Sequence, residues 1–266
     1  MDSNRGSLTI VSTGMLIGGD ISVRCQEIIK QADQVFSLMS SAVGDSWLDK
    51  LNPNHQSLQY LYGKTKHRMD SYEEMVEVMM QAVRQGKKVC GAFYGHAGVF
   101  AWAPHEAVRV ARKEGFEANM LPGISADLAL YADVGIDPAT QGVQAFEATQ
   151  LLFYKHNINP AGYVILWQIG LIGEYTARSF DFPEKGPAIL VEHLSQWYPL
   201  DHSIILYECA VLPILETRIE RMELKDLVNA ELNLITTMVL EPYGELEAND
   251  EILNKFNISE ALIAKR

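Results

Sequence analysis

The sequence predicts an α/β protein. Short apolar runs rich in small and β-branched residues, such as KVCGAF at 88–93, alternate with runs of helical period. Three of the short runs end in loops of small and hydroxyl-bearing residues: STG at 12–14, YGHAGVF at 94–100 and PGISA at 122–126. In open α/β sheets, ligands bind beyond the carboxyl ends of the strands, where such loops lie. Each loop taken singly reads as an ordinary strand-to-helix turn; the three together point to a ligand.

Residues 8–11 read as a buried strand. Ser12, Thr13 and Gly14 open a loop that closes at Gly18 and Gly19, and Asp20 or Ser22 can cap a helix running through Ile28, Ile29 and Ala32. Residues 35–39 form the next strand. The glycine-rich first turn lacks the G-x-G-x-x-G spacing, which sets a Rossmann dehydrogenase aside. A short amphipathic piece at 46–51 leads into a polar stretch holding Tyr60, Tyr62, Lys64, Lys66, His67, Arg68 and Asp70. Ser71 with Glu74 makes a capping box ahead of Met75, Val78, Met79, Ala82 and Val83, which share one helical face; Gly86 ends the helix. Tyr72 falls in its first turn, near Arg68. On these residues alone, Tyr62, Arg68 and Tyr72 read as a solvated loop entering a helix.

After the 88–100 stretch, 104–114 reads as a helix ended by Gly115. Residues 116–121 read as a strand, and 124–127 start a helix with Ser125 at its N-cap. The Pro122-Gly123 turn marks a domain junction, giving domains 1–123 and 124–242 and a tail, 243–266. Beyond it, 135–138 is a turn. Residues 146–148, 164–168, 203–208 and 234–240 are strand material, and 189–196, 224–231 and 251–256 are helical.

Composition narrows the function. With 266 residues and 21% charged side chains, the chain can bury one large or two small cores. A net charge of −12 makes it a poor partner for nucleic acid or an anionic membrane. Cys25, Cys90 and Cys209 have neither metal-ligand nor redox spacing. No signal peptide is expected, and the apolar run at 163–167 is broken by Gln168 and Gly170 before it can span a bilayer. These features predict a cytoplasmic protein. There is no G-x-S-x-G hydrolase elbow, no P-loop and no H-E-x-x-H, and His96, His105, His193 and His202 are scattered; no metal is expected. The three small-residue loops suit an uncharged or zwitterionic adenosyl-type ligand held by backbone groups and hydroxyls.

The motifs LTIVSTG, YGHAGVF, LPGISA, LWQIG and TTMVLEP, in this order from residue 6 to about 242, resemble the tetrapyrrole-methylase superfamily of S-adenosylmethionine-dependent methyltransferases. YGKTKHRMDSY at 62–72, FYGHAGVFAWAPHEA, EGFEANMLPGISA, ADVGIDP and FEATQ narrow the resemblance to borosin-type methyltransferases, which N-methylate backbone amides of a ribosomal peptide. The resemblance implies a two-domain α/β fold with the cofactor in the cleft between the domains. It also implies a homodimer, with a heterotetramer with two peptides as its loaded form. It implies that Tyr62, Arg68, Tyr72 and Tyr94 line the methyl-transfer site, which displaces the solvated-loop reading. It places His96, Val99, Phe100, Ser125, Ala126, Gln168, Tyr207 and Thr237 around S-adenosylmethionine. Fused members carry their peptide as a C-terminal extension; the end of this sequence at Arg266 predicts a separate precursor peptide, methylated in trans. Three positions depart from the family pattern: Ser12 for Gly, Ala97 for the Pro of G-H-P-G, and Glu241 for Pro.

The expected chemistry follows from the amide. Its nitrogen lone pair is delocalised into the carbonyl, so the site must stabilise an imidate-like state. Arg68 would hold the developing charge on oxygen. Tyr72 or Tyr62, with its pKa lowered by Arg68, would accept the proton, and Tyr94 would orient the reacting groups. The alternatives are a tetrapyrrole (uroporphyrinogen or precorrin) C-methyltransferase, disfavoured by 22 basic against 34 acidic residues, and a non-catalytic peptide-binding protein on the same fold.

Overall fold

The computed structural model describes residues 6–63, 66–176 and 184–260. Lys64 of the basic stretch and the last residues of the tail lie outside them. The described chain parts into two compact units. One holds 6–133, residue 176 and Cys209–Thr217; the other holds Val134–Tyr175, 184–208 and 218–260.

The first unit is built on a five-stranded parallel sheet. Its strands are β1 (Ser7–Ser12), β2 (Gln34–Leu38), β3 (His55–Ser57), β4 (Lys88–Phe93) and β5 (Glu117–Met120), in the order β3-β2-β4-β1-β5. β1 and β4 are central and buried on both faces, so they read as continuous apolar runs. Helices α1 (Val23–Gln31) and α2 (Ala42–Leu51) cover one face, closing a core of Val11, Ile29, Val35, Leu48 and Ala92. Helices α3 (Arg68–Arg84) and α4 (Trp102–Lys113) cover the other, over Leu8, Ile10, Phe36, Met79 and Phe93. Ser22 caps α1 as expected, its hydroxyl accepting from the Cys25 amide at 3.1 Å. Helix α5 (Ala126–Val134) follows β5.

The second unit carries a mixed sheet. Strands β6 (Val143–Glu147), β7 (Tyr163–Trp167), β8 (Ser203–Glu208), β9 (Arg218–Glu223) and β10 (Thr237–Leu240) run in the order β6-β7-β10-β8-β9. Only β6 and β7 are parallel; the other pairs are antiparallel. The turn expected at 135–138 is present at Gly135, whose φ is 80°, and leads into helix α6 (Pro138–Gln141), capped by Asp137. Helices α7 (Ala148–Phe153) and α8 (Gly186–Leu194), with a 3₁₀ turn at Leu224–Asn229, pack on Val164, Leu166, Ile204, Leu206 and Met238. Helix α9 (Asp250–Phe256) closes the described chain.

The structure corrects several local expectations. Ser71 does not cap α3. The helix starts one turn earlier at Arg68, where the His67 ring nitrogen Nδ1 accepts the Met69 amide at 3.2 Å, and Asp70 in the first turn favours that start. Ser71 is instead buried inside the helix, donating to the Leu61 carbonyl at 3.0 Å. The expected helix at 224–231 is the 3₁₀ turn, and the last strand begins at Thr237, because Asn233 and Thr236 are tied in a turn of their own. Edge strands β3 and β9 are too polar for the apolar-run criterion to find.

Candidate active site

In the first unit, three segments meet at the carboxyl end of the parallel sheet. The chain leaves β1 at Ser12, β4 at Tyr94 and β5 at Leu121. Gly14 and Gly95 exchange backbone hydrogen bonds, Gly14 N–H to Gly95 at 3.1 Å and the reverse at 2.8 Å. Both have positive φ, 79° and 62°, and a Cβ on Gly14 would fall 2.2 Å from the Cβ of Asp20. The next turn is closed by its own side chains. The His96 ring accepts the Gly98 amide through Nδ1 at 2.9 Å, so its proton is on Nε2, and His105 Nε2 donates to the Gly98 carbonyl at 2.9 Å.

The start of α3 adds the phenols. Arg68 opens the helix, and Tyr72 follows one turn later on the same face. The Tyr62 and Tyr72 rings meet edge-on, 6.2 Å between centroids. Tyr72 also stacks on Trp102, the first residue of α4, at 6.5 Å and 26°. Trp102 is the residue that sequence reasoning missed. Its signal was available: it is one of four tryptophans, placed two residues after the YGHAGVF motif. Leu61, just before Tyr62, is pinned twice, by the Ser71 hydroxyl at 3.0 Å and by the Lys66 ammonium at 3.3 Å.

The electrostatics reverse one expectation. Arg68 does pull the Tyr62 pKa down, but burial and the adjoining Tyr72 and Tyr94 phenols outweigh it, and the Tyr62 pKa is raised well above 10. Tyr94 is raised too, by burial first and then by Tyr72, although 45% of its side-chain surface stays exposed; the hydroxyl end is the crowded one. Both phenols keep their protons at neutral pH and act as hydrogen-bond donors.

The remaining residues of this unit flank the same loops. Val99 and Phe100 are 43% and 60% exposed. Phe100 has φ 51°, left-handed for a bulky residue. Ser125 precedes α5 and is buried; its carbonyl accepts the Ala129 amide, while its hydroxyl donates to the Asp127 carboxylate instead of capping the helix. Ala126 is the first residue of α5.

In the second unit, Gln168, Tyr207 and Thr237 share one sheet end. Tyr207 and Thr237 are direct register partners in the β8–β10 pair, and both are buried. Gln168 leaves β7 with φ 59°, also left-handed, and the next amide, Ile169, donates to Thr236 at 3.1 Å. The buried Thr236 hydroxyl donates to Glu208 at 2.7 Å, and Arg218 donates to the same carboxylate oxygen at 2.7 Å. Burial pushes the Glu208 pKa up, but hydrogen bonds from Thr236, Asn233 and Arg218 more than offset it, so the carboxylate stays ionised.

A serine, a histidine and an aspartate also line up away from these loops. Ser37 Oγ lies 2.7 Å from His55 Nε2, and His55 Nδ1 lies 2.7 Å from Asp49. They do not make a hydrolase triad. Ser37 is wholly buried in β2, and its hydroxyl proton is directed to Asp45 at 2.7 Å, so His55 Nε2 donates to the hydroxyl. Among the described residues, no group of three or more His, Cys, Asp or Glu is arranged to hold a metal, and no helix is long and apolar enough to cross a membrane.

Comparison with known proteins fits this geometry. Residues 7–195 match the family model of tetrapyrrole (corrin/porphyrin) methylases. The chain is 36% identical to a methyltransferase/ribosomally synthesized type III borosin cyclic peptide precursor of Anomoporia bombycina, over 96% of this chain and 30% of the relative. It is 35% identical to a type I borosin counterpart of Coprinopsis marcescibilis, over 96% of this chain and 68% of that relative. The chain thus spans less than a third of one and about two thirds of the other. Among solved structures, the uroporphyrin-III-C-methyltransferase of Thermus thermophilus shares the fold, with a TM-score of 0.64 at 14% identity over 90% of this chain and 93% of that one.

Proposed function

The chain belongs to the tetrapyrrole (corrin/porphyrin) methylase family, and within it we propose an S-adenosylmethionine-dependent methyltransferase that N-methylates backbone amides of a ribosomal precursor peptide. The observation that carries the reading is the cluster of Tyr62, Tyr72 and Tyr94 with Arg68 at the head of α3. It supplies hydrogen-bond donors and one fixed positive charge, which an amide nucleophile needs and a carbon nucleophile on a multi-carboxylate macrocycle does not.

The residues assigned to S-adenosylmethionine fit such a ligand. Ser125, Tyr207 and Thr237 offer buried hydroxyls, the 94–100 loop offers backbone groups beside two exposed apolar side chains, and none of the eight is an Asp, Glu, Lys or Arg. Phe100 and Gln168 hold left-handed backbones, a strain that persists where a ligand site requires it. When bound, the cofactor supplies an electrophilic sulfonium methyl. The protein's own residues make the amide reactive. Arg68 and the protonated phenols of Tyr62 and Tyr94 donate to the amide oxygen as negative charge builds on it; one such donor is worth roughly 2.7–4 kcal/mol in related oxyanion sites. Tyr72, edge-to-face with Tyr62 and one turn from Arg68, relays the amide proton: its phenol oxygen accepts that proton as the phenol's own proton passes to water. Trp102 holds the Tyr72 ring in place.

The same reading includes a homodimer, with two peptides bound in its loaded form, and a peptide supplied as a separate chain. The resemblance and the precursor portions of the named relatives support a peptide substrate. The experiment incubates the protein and S-adenosylmethionine with the precursor portion of the Coprinopsis marcescibilis relative, added in trans, and reads the peptide by tandem mass spectrometry. Increments of one methylene on backbone nitrogens are expected. An unmodified peptide together with methylation of uroporphyrinogen would overturn the assignment in favour of a tetrapyrrole C-methyltransferase.

A further inference from the structure

Ser12 ends β1 and is 1% exposed. Its hydroxyl has one proton to donate and lone pairs to accept with, and both are used. It donates to the Leu121 carbonyl at 2.9 Å, where the chain leaves β5. It accepts the Ala97 amide at 2.9 Å, in the loop after β4. Gly123 makes room for it: a Cβ there would fall 2.3 Å from the Ser12 Cβ. One buried hydroxyl thus joins the three loops that begin at residues 12, 94 and 122.

The bond between Ser12 and Ala97 depends on the residue at each end. Proline has no N–H to donate, and glycine has no hydroxyl to receive one. The Ser12–Ala97 bond therefore needs a hydroxyl at 12 and an amide N–H at 97.

We propose that Ser12 is a positioning residue: acting through Ala97 and Leu121, it holds the 94–100 and 122–126 loops in register for S-adenosylmethionine. The inference rests on the methyltransferase reading above. His96 and Val99 stand within two residues of Ala97, and Ser125 stands four beyond Leu121. Ala97 and Leu121 are themselves core residues, so the bonds of Ser12 tie the place of those three residues to the core beneath.

The test uses S12A, S12G, A97P and the pair S12G/A97P beside the wild type. Amide hydrogen exchange at Ala97, calorimetry with S-adenosylmethionine and thermal unfolding are read on each. In S12A the Ala97 amide should exchange at least about tenfold faster, and the cofactor Kd should rise about tenfold, with Tm lowered by a few degrees because the buried Ala97 amide and Leu121 carbonyl lose their partner. A97P alone should be the weakest binder, because the ring Cδ would stand where the N–H now points at the Ser12 hydroxyl. Removing that hydroxyl in S12G/A97P should recover most of the lost affinity. Unchanged Ala97 exchange and cofactor Kd in S12A would overturn the inference alone, as would strictly additive effects of S12G and A97P. A wild type that binds no S-adenosylmethionine would overturn the methyltransferase reading and the inference with it.

Discussion

The Tyr62 and Tyr72 rings meet edge to face, with planes at 84° and centroids 6.2 Å apart. The contact places two phenols together at a helix start that already carries Arg68. Tyr72→Phe keeps both rings and deletes one hydroxyl. It should slow peptide methylation by roughly 10²–10³-fold, with cofactor Kd nearly unchanged. Arg68→Ala should do the same by removing the fixed charge. Single-turnover rates and calorimetry measure the two effects separately, and near wild-type rates for both variants would remove the catalytic assignment.

Strain at Phe100 and Gln168 gives a test with opposite signs. Left-handed backbone costs a non-glycine residue about 1–2 kcal/mol. Gln168→Gly, at φ 59°, should hold or raise stability in urea while weakening S-adenosylmethionine binding. A variant that loses stability and keeps affinity would mean that the Gln168 side chain serves packing, not the ligand.

The Ser71 hydroxyl restrains Tyr62 through the Leu61 carbonyl at 3.0 Å. Ser71→Ala should cost about 1 kcal/mol, seen as a lower urea midpoint with the slope unchanged. It should also lower the methylation rate, since the residue after Leu61 is freed. Lys66, which donates to the same carbonyl at 3.3 Å, limits the loss.

Tyr198 sets an alkaline limit. It is 1% exposed, its hydroxyl has no hydrogen-bond partner among the described residues, and burial pushes its pKa from 10.0 up to about 12. The folded state therefore keeps a proton that the unfolded chain releases above pH 10. Stability is unaffected below pH 10 and falls as pH rises from 10 to 12, by roughly 2 kcal/mol. Tyr198→Phe should remove that part of the loss and be neutral or stabilising at pH 7. Denaturant titrations of the two proteins at pH 7 and 11 check it.

Much of this arrangement was legible in the chain. KVCGAF and YGHAGVF mark β4 and its loop because a strand buried on both faces is apolar throughout and its exit is built from small residues. The start of α3 was misplaced because Ser71 and Glu74 satisfy the capping pattern by spacing alone, while the real cap is a ring nitrogen of His67, which no spacing rule scores. β3 and β9 escaped because pairing at a sheet edge needs no apolar run. The lowered Tyr62 pKa failed for a different reason: neighbouring charge can be read from sequence, but burial cannot, and here burial is the larger influence.

The segment Cys209–Thr217 belongs to the first unit although β8 and β9 on either side of it belong to the second, and its Val211 carbonyl takes the Ile17 amide at 3.0 Å. Translation therefore delivers the last piece of the first unit after most of the second has been synthesised. A nascent chain that has just completed β5 is still missing that strap, and no single cut divides the gene into two complete halves. Anyone dissecting this protein would need to carry the strap across, by circular permutation or by adding it back as a peptide.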